Sequence, residues 1–343
     1  MVMACLPQLR VEVWRVFNVI PSSLTLREVA RRAGLSHSRV HRLYRYRLPE
    51  FAQVRFVPDF KEMNLLPLAV AVSRSVERAP PFTRSFRKAY AAGRRMWIAV
   101  AYVPTAYLDR YLAELPEPLF TVRGLEFEKW RPNPAVAYRY GYLLPVESKL
   151  LEGVGGRPVE WGVSRRSPDR IDVAIVTIKF FMDAYMRLVQ IARLATRLDP
   201  SFPATYRQLL SVHYRRHVIA RLWRYNSIVL YCDVRMNPVR AYYLVGRDAA
   251  VAARALIKLP MMYSALIDVD AAIVFGQPPP GYLAVIYQLL SQLDVEMPYG
   301  EIVLDPADIT AWLNPYWAFT DGREWMWPEE ARARIQLIRR GES

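Results

Sequence analysis

The 343-residue chain contains no run of about 18 uncharged apolar residues, the length a membrane-spanning helix needs. Its most apolar parts are broken by Lys179 and Asp183, or by Arg254, Lys258 and Asp268. Cysteine is nearly absent. Cys5 and Cys232 are too few for a disulfide framework, and neither stands in a redox or zinc motif. The opening Met-Val-Met-Ala-Cys lacks the basic start and apolar core of a signal peptide. A cytoplasmic protein with no membrane partner is expected.

Glycine is scarce, and the one dense run, Gly153-Val-Gly-Gly156, is not a phosphate loop. It follows no clear strand and lacks both the GxGxxG spacing and a following Lys-Ser/Thr. No HExxH motif and no pairing of a nucleophile with a base is present, and the acidic residues are scattered. These absences predict a protein that is not an enzyme, with no cofactor and no metal. The four histidines form two pairs at i and i+4, His37/His41 and His213/His217. Such spacing can bind zinc from one helix face, but no cysteine or HExxH glutamate lies nearby to complete a site. Nucleic-acid contact or a plain helix surface is the expected role of these rings.

Positive charge is what the chain has in excess. Lys plus Arg total 47 against 32 Asp plus Glu, a net charge of +15. The excess is concentrated. Residues 1–48 hold 9 basic and 2 acidic residues, and residues 169–226 hold 10 and 4. Clustering of this kind points to a polyanionic partner.

The first basic segment has helix punctuation. Leu9 to Asn18 reads as a helix with Val13, Trp14 and Phe17 on one side. Thr25 and Glu28 fit a capping box ahead of Leu26 to Ala33. Gly34 then stops that helix, and Ser36 caps a third from His37 to about Leu48. Helix, glycine turn, helix is the helix-turn-helix pattern. With Val40 inward, Ser38, His41, Arg42 and Arg45 face outward, together with the first-turn Ser36 and Arg39. Guanidiniums and hydroxyls on a helix without acids suit base edges and phosphates in a major groove. The second basic segment has a similar layout, with helices over residues 172–183, 187–198 and 204–223 and a break expected near His217. Arg207, His213, Arg215 and Arg216 are its candidate contacts.

Phe56-Val-Pro-Asp-Phe-Lys-Glu-Met-Asn-Leu-Leu-Pro-Leu-Ala-Val-Ala-Val-Ser-Arg74 reads like Val229-Leu-Tyr-Cys-Asp-Val-Arg-Met-Asn-Pro-Val-Arg-Ala-Tyr-Tyr-Leu-Val-Gly-Arg247. Trp130-Arg-Pro-Asn-Pro134 echoes Trp312-Leu-Asn-Pro315. A unit used twice is the simplest parse. The expected division is a helix-turn-helix over 1–50, an α/β body over 51–131, and an aromatic tail and linker over 132–168. It repeats as a second head over 169–226, a second body over 227–310 and a tail over 311–343. The strand and helix order of the bodies (with a helix over 81–92 in the first) suggests ferredoxin-like sandwiches. The tail aromatics are expected to pack rather than stack bases, and residues 329–340 to form a closing helix.

Residues 25–48 and the Asp59–Val72 stretch resemble the Lrp/AsnC (leucine-responsive regulator) family. The resemblance implies an α+β chain of two repeats, each a (winged) helix-turn-helix followed by a ferredoxin-like sandwich. It implies a sequence-specific transcriptional regulator that grips double-stranded DNA and assembles with further copies through its sheets. Asp268-Val-Asp-Ala-Ala272 stands where that family carries its effector turn, without the Thr-Gly pattern, so no effector is expected. The alternative is an RNA- or ribosome-binding factor seated on rRNA or a ribosomal subunit, silencing ribosomes or dimerising subunits.

Overall fold

A computed structural model describes residues 8–155, 157–162, 164, 168–202, 207–308, 311–320, 324–328 and 335–336. Three short helices come first: α1 (Val11–Val19), α2 (Leu26–Ala33) and α3 (His37–Arg42). The caps form as the sequence suggests. Thr25 accepts from the Glu28 N–H, the Glu28 side chain accepts from Leu24 N at 2.8 Å, and Ser36 accepts from Arg39 N. Gly34 ends α2 in the left-handed region at φ 67°, where a Cβ would be strained. One difference matters: α3 stops at Arg42, and Leu43–Arg47 is a π-helical turn.

The α+β class holds, and its centre is one large curled antiparallel sheet. In chain order the strands are β1 (Ala52–Pro58), β2 (Leu65–Val72), β3 (Thr83–Ala91) and β4 (Arg94–Pro104). Helix α4 (Leu108–Ala113), β5 (Pro118–Arg123), β6 (Glu126–Glu128) and a small hairpin of β7 (Val136–Arg139) and β8 (Tyr142–Pro145) follow. Then come α5 (Arg170–Phe181), α6 (Leu188–Leu198), α7 (Arg207–His213), a π-helical stretch Tyr214–Leu222, β9 (Trp223–Leu230) and β10 (Arg240–Val245). The chain continues with α8 (Ala249–Leu256), β11 (Met262–Ile267), β12 (Ala271–Gly276), α9 (Leu283–Leu290), β13 (Glu301–Leu304), β14 (Trp312–Leu313) and β15 (Ile335–Gln336).

Nine strands pair in the order β5-β2-β4-β3-β13-β10-β12-β11-β6. The two edge strands, β5 and β6, are consecutive in the chain and separated only by Gly124 and Leu125. A two-residue link between opposite edges forces the sheet to curl until those edges meet, which removes the exposed edges of an open sheet. Gly124 is required there. Its N–H donates to Pro67 O at 2.7 Å, and a Cβ would lie 2.9 Å from Pro67 Cβ and 3.0 Å from Pro67 O. Asp268, 4% exposed, locks the same seam by accepting from Arg123 N at 3.1 Å and Arg123 Nε at 2.9 Å. The Asp268 turn is therefore a structural clasp.

Strands of both expected bodies thus share one sheet. Its outer face carries α8 and α9 over Tyr242, Leu244, Val274 and Ile267, and its inner face joins the main core. Strands β1 and β9 form a separate antiparallel pair against which α5 packs. Residues 83–91 are a strand, not a helix. Thr83, Phe86 and Ala89 are buried three apart, which mimics a helical face, and the register shifts between Thr83 and Ser85. Trp130, Tyr316, Trp317, Phe319 and Trp325 of the tails are buried, as expected of packing aromatics. The helix expected over 329–340 lies outside the described residues except for Ile335–Gln336, which pair with β14. No helix among the described residues is long and apolar enough to cross a membrane.

Candidate functional site

Helix α5 organises the interior. Ten of its twelve residues are buried, the pattern of a helix apolar on every side. Asp169 caps its start, accepting from Ile171 N and Asp172 N at 2.9 Å each. At its other end Phe180 and Phe181 project into a shell of rings. Phe60, from the turn after β1, stacks on Tyr102 of β4 at 4.8 Å and meets Phe127 of β6 edge-on at 5.1 Å. Phe180 lies 5.4 Å from Phe60 and 5.2 Å from Tyr102, and Phe181 reaches Tyr316 at 6.2 Å. Sheet closure at Gly124 is what carries Phe127 across to this shell.

Three cations enter the shell. The Arg84 guanidinium, from β3, sits 4.6 Å above Phe181 and donates to Trp312 O at 2.5 Å. Lys129, just past β6, places Nζ 5.8 Å from both Phe127 and Phe180 and 3.3 Å from Tyr263 O. Arg55 of β1 donates to Phe181 O and Met182 O, the last carbonyls of α5. No carboxylate among the described residues contacts Arg84 or Lys129. Burial, with Arg55 and Arg84 adding repulsion, brings the Lys129 ammonium down to about 7 from 10.5. Burial and Arg55 bring Arg84 down to about 10. Both side chains are half-buried. Burial also raises the Tyr102 phenol, so it stays a neutral hydroxyl. A polar cavity of about 310 Å³ adjoins the shell. Phe60 and Phe127 line it, with Asp59, Lys61, Glu126, Glu128, Arg157 and Arg224 among its other walls.

A second grouping lies at the opposite end of α5. His213 Nδ1 is 3.0 Å from Asp172 Oδ1 and 3.2 Å from Asp169 Oδ2, and His217 Nδ1 is 3.0 Å from Asp172 Oδ2. These four side chains have the donor types of a metal site.

Of the residues expected to read DNA, six lie on or beside α3 and four in α7 or the π-helical stretch after it. Ser36 is spent as the α3 cap and lies 3.2 Å from Ser38 Oγ. Arg39 is paired with Glu12, its Nε at 3.0 Å. His41 is half-buried, and Arg42 and Arg45 are exposed. The π turn removes Arg45 from the helical face of Ser38 and Arg42. In the second segment Arg207 begins α7, and Arg215 and Arg216 are exposed, with Arg215 bonded to Ser211 O at 3.2 Å. His213 points into the molecule, at the aspartates. Arg170, Arg221 and Arg224 are each held by a carboxylate, Asp199, Glu62 and Glu128. Arg187, Arg193 and Arg197 are exposed as well, so the second basic segment holds both paired and solvent-facing cations.

No family model matches the chain, and no curated protein matches it. Two solved structures align with 85% of this chain and 90% of theirs, at 10% identity and TM-scores of 0.37 and 0.36. They are of the siroheme decarboxylase NirDL, one in complex with an iron-uroporphyrin III analogue. Both are structures of an enzyme. That finding replaces the expectation of an Lrp/AsnC-type DNA-binding regulator and of its ribosome-bound alternative, and with them the expectation of a non-enzyme.

The sequence reading passed over Arg55, Arg84 and Lys129. The available signal was lysine itself. Only six occur beside 41 arginines, and Lys129 stands between Phe127 and Trp130.

Proposed function

We propose that the chain is an enzyme acting on a flat, carboxylate-bearing aromatic ligand held inside the ring shell under α5. The observation that supports this most is the half-buried trio of Arg84, Lys129 and Arg55 gathered around the rings. Two of these cations, Arg84 and Lys129, touch no carboxylate among the described residues. Taking a cation out of water costs several kcal/mol, and an aromatic face returns only about 0.5–2 kcal/mol of it. A ligand carboxylate supplies the missing counter-charge, and the rings offer faces for a planar body. Arg84, with one nitrogen engaged by Trp312 O, would hold that carboxylate through the rest of its guanidinium fork. Lys129, with its ammonium near 7, exists in both protonation states at neutral pH and is the group suited to move a proton on the bound ligand. Iron-uroporphyrin III, an analogue of which is bound in one of the two similar structures, is a ready probe.

Equilibrium titration tests the reading. Iron-uroporphyrin III, a small aromatic carboxylate and its neutral amide are titrated against the full chain and against Lys129→Met and Arg84→Met. Binding of a carboxylate probe, weakened at least tenfold in either variant and absent for the amide, is expected. Equal affinity for acid and amide, or affinity unchanged in both variants, would refute it.

A further inference from the structure

We infer that Asp169, Asp172, His213 and His217 form a binding site for one divalent transition-metal ion, at the opposite end of α5 from the ring shell. The ligand atoms of all four lie within 4.8 Å of one another. Three elements bring them together. Asp169 caps α5 with one oxygen, which leaves Oδ2 turned toward His213. Asp172 sits in the first turn of α5, 4% exposed, and presents one oxygen to each imidazole. His213 ends α7, and His217 follows in the π-helical stretch, with ring centroids 4.9 Å apart and planes at 73°. π-Helical turns of this kind recur at functional sites.

Charge carries the argument further. Two carboxylates face two imidazoles, and among the described residues neither Asp169 nor Asp172 has a lysine or arginine partner. Arg170, between them in sequence, is turned away to Asp199 at 2.8 Å and Trp317 O at 3.1 Å. Arg215 and Arg216 stand in solvent. A divalent ion balances the two carboxylates and leaves the imidazoles neutral, as ligation requires. The spacing suits it. Neighbouring ligand atoms around an ion held at about 2.0–2.2 Å are separated by about 3.0–3.5 Å. The nitrogen-oxygen separations here are 3.0, 3.2 and 3.0 Å. Two nitrogens and carboxylate oxygens select zinc, cobalt(II), iron(II) or manganese(II) over magnesium and calcium. The His217 side chain is 43% exposed, so water can approach the ion from that side. His37 and His41 provide the internal control: the same spacing, rings 6.3 Å apart, and no carboxylate bonded to either among the described residues.

The test is metal uptake by the full chain. Chelator-treated protein is dialysed against zinc or cobalt(II), and bound metal is measured by elemental analysis, cobalt absorption and the rise in Tm. About one equivalent is expected for the wild type and for His41→Gln. Affinity at least tenfold weaker, and no metal-dependent rise in Tm, is expected for Asp172→Asn and for His217→Gln. The second variant alters a half-exposed ring, so it reports even if Asp172→Asn misfolds. Less than stoichiometric uptake by the wild type overturns the proposal. So does uptake in His217→Gln equal to wild type, which would leave the cluster as a hydrogen-bonded clamp between α5 and α7.

Discussion

In the first three-helix unit Arg42 and Arg45 stand in solvent, whereas under α5 Arg84 and Lys129 lie among rings with no carboxylate of the described residues against them. Composition counts these residues alike. Their energetics differ. A solvated guanidinium costs the fold almost nothing, so its presence says little. One partly withdrawn from water and left unneutralised opposes folding, and a chain that retains it has a use for it. The histidine pairs repeat the contrast. His37 and His41 share a helix surface, while His213 and His217 meet a buried carboxylate.

The largest expected effect comes from removing the interior charge. Arg84→Met should weaken carboxylate-ligand binding by about 2 kcal/mol or more, roughly thirtyfold, as truncation of a buried charge partner does, in an equilibrium titration. An unchanged affinity would put the interior cations on the same footing as the exterior ones.

The next effect is on pH. Lys129 in the ligand-free protein loses its proton near 7, and a bound carboxylate favours the charged ammonium. Below about pH 7 the proton is already in place and affinity is highest. Above it binding must take up a proton, so affinity should fall by up to about tenfold per pH unit. Lys129→Met should flatten that slope. Calorimetric titration in buffers of different ionisation enthalpy reads the proton uptake directly.

A smaller effect belongs to the exterior unit. Thr25→Ala removes the α2 cap, which accepts from Glu28 N at 3.1 Å, and should cost about 1 kcal/mol of stability in denaturant unfolding. Ligand affinity should not change. The smallest is Arg42→Ala, expected within about 0.5 kcal/mol of wild type in stability and neutral for ligand binding. A large effect of Arg42→Ala on either would erase the distinction between the two regions.

Local features were legible in the sequence because they are set by neighbours in the chain. Thr25, Glu28, Gly34 and Ser36 punctuate the helices as their side chains dictate, and the aromatic tails pack as large rings tend to. The strand at residues 83–91 was masked by apolar residues three apart beside a register shift. Closure of the sheet could not be read, because it depends on Gly124 meeting Pro67 and on Asp268 meeting Arg123, contacts between distant segments. The site went unread for the same reason. Arg55, Arg84 and Lys129 come from β1, β3 and the end of β6, and they meet only where the curled sheet and the separate β1–β9 pair come together at the end of α5. In a chain of 41 arginines, charge clustered along the sequence drew attention to segments where charge is exposed or paired.

The most direct test of the central claim compares denaturant unfolding of ligand-free wild type and Lys129→Met across pH. The unfolded lysine keeps its proton to about 10.5 and the folded one only to about 7, so wild-type stability should climb between those values as pH rises. Lys129→Met should lack that climb and be the more stable protein at pH 7. Parallel pH profiles, with Lys129→Met the less stable at pH 7, would contradict the account.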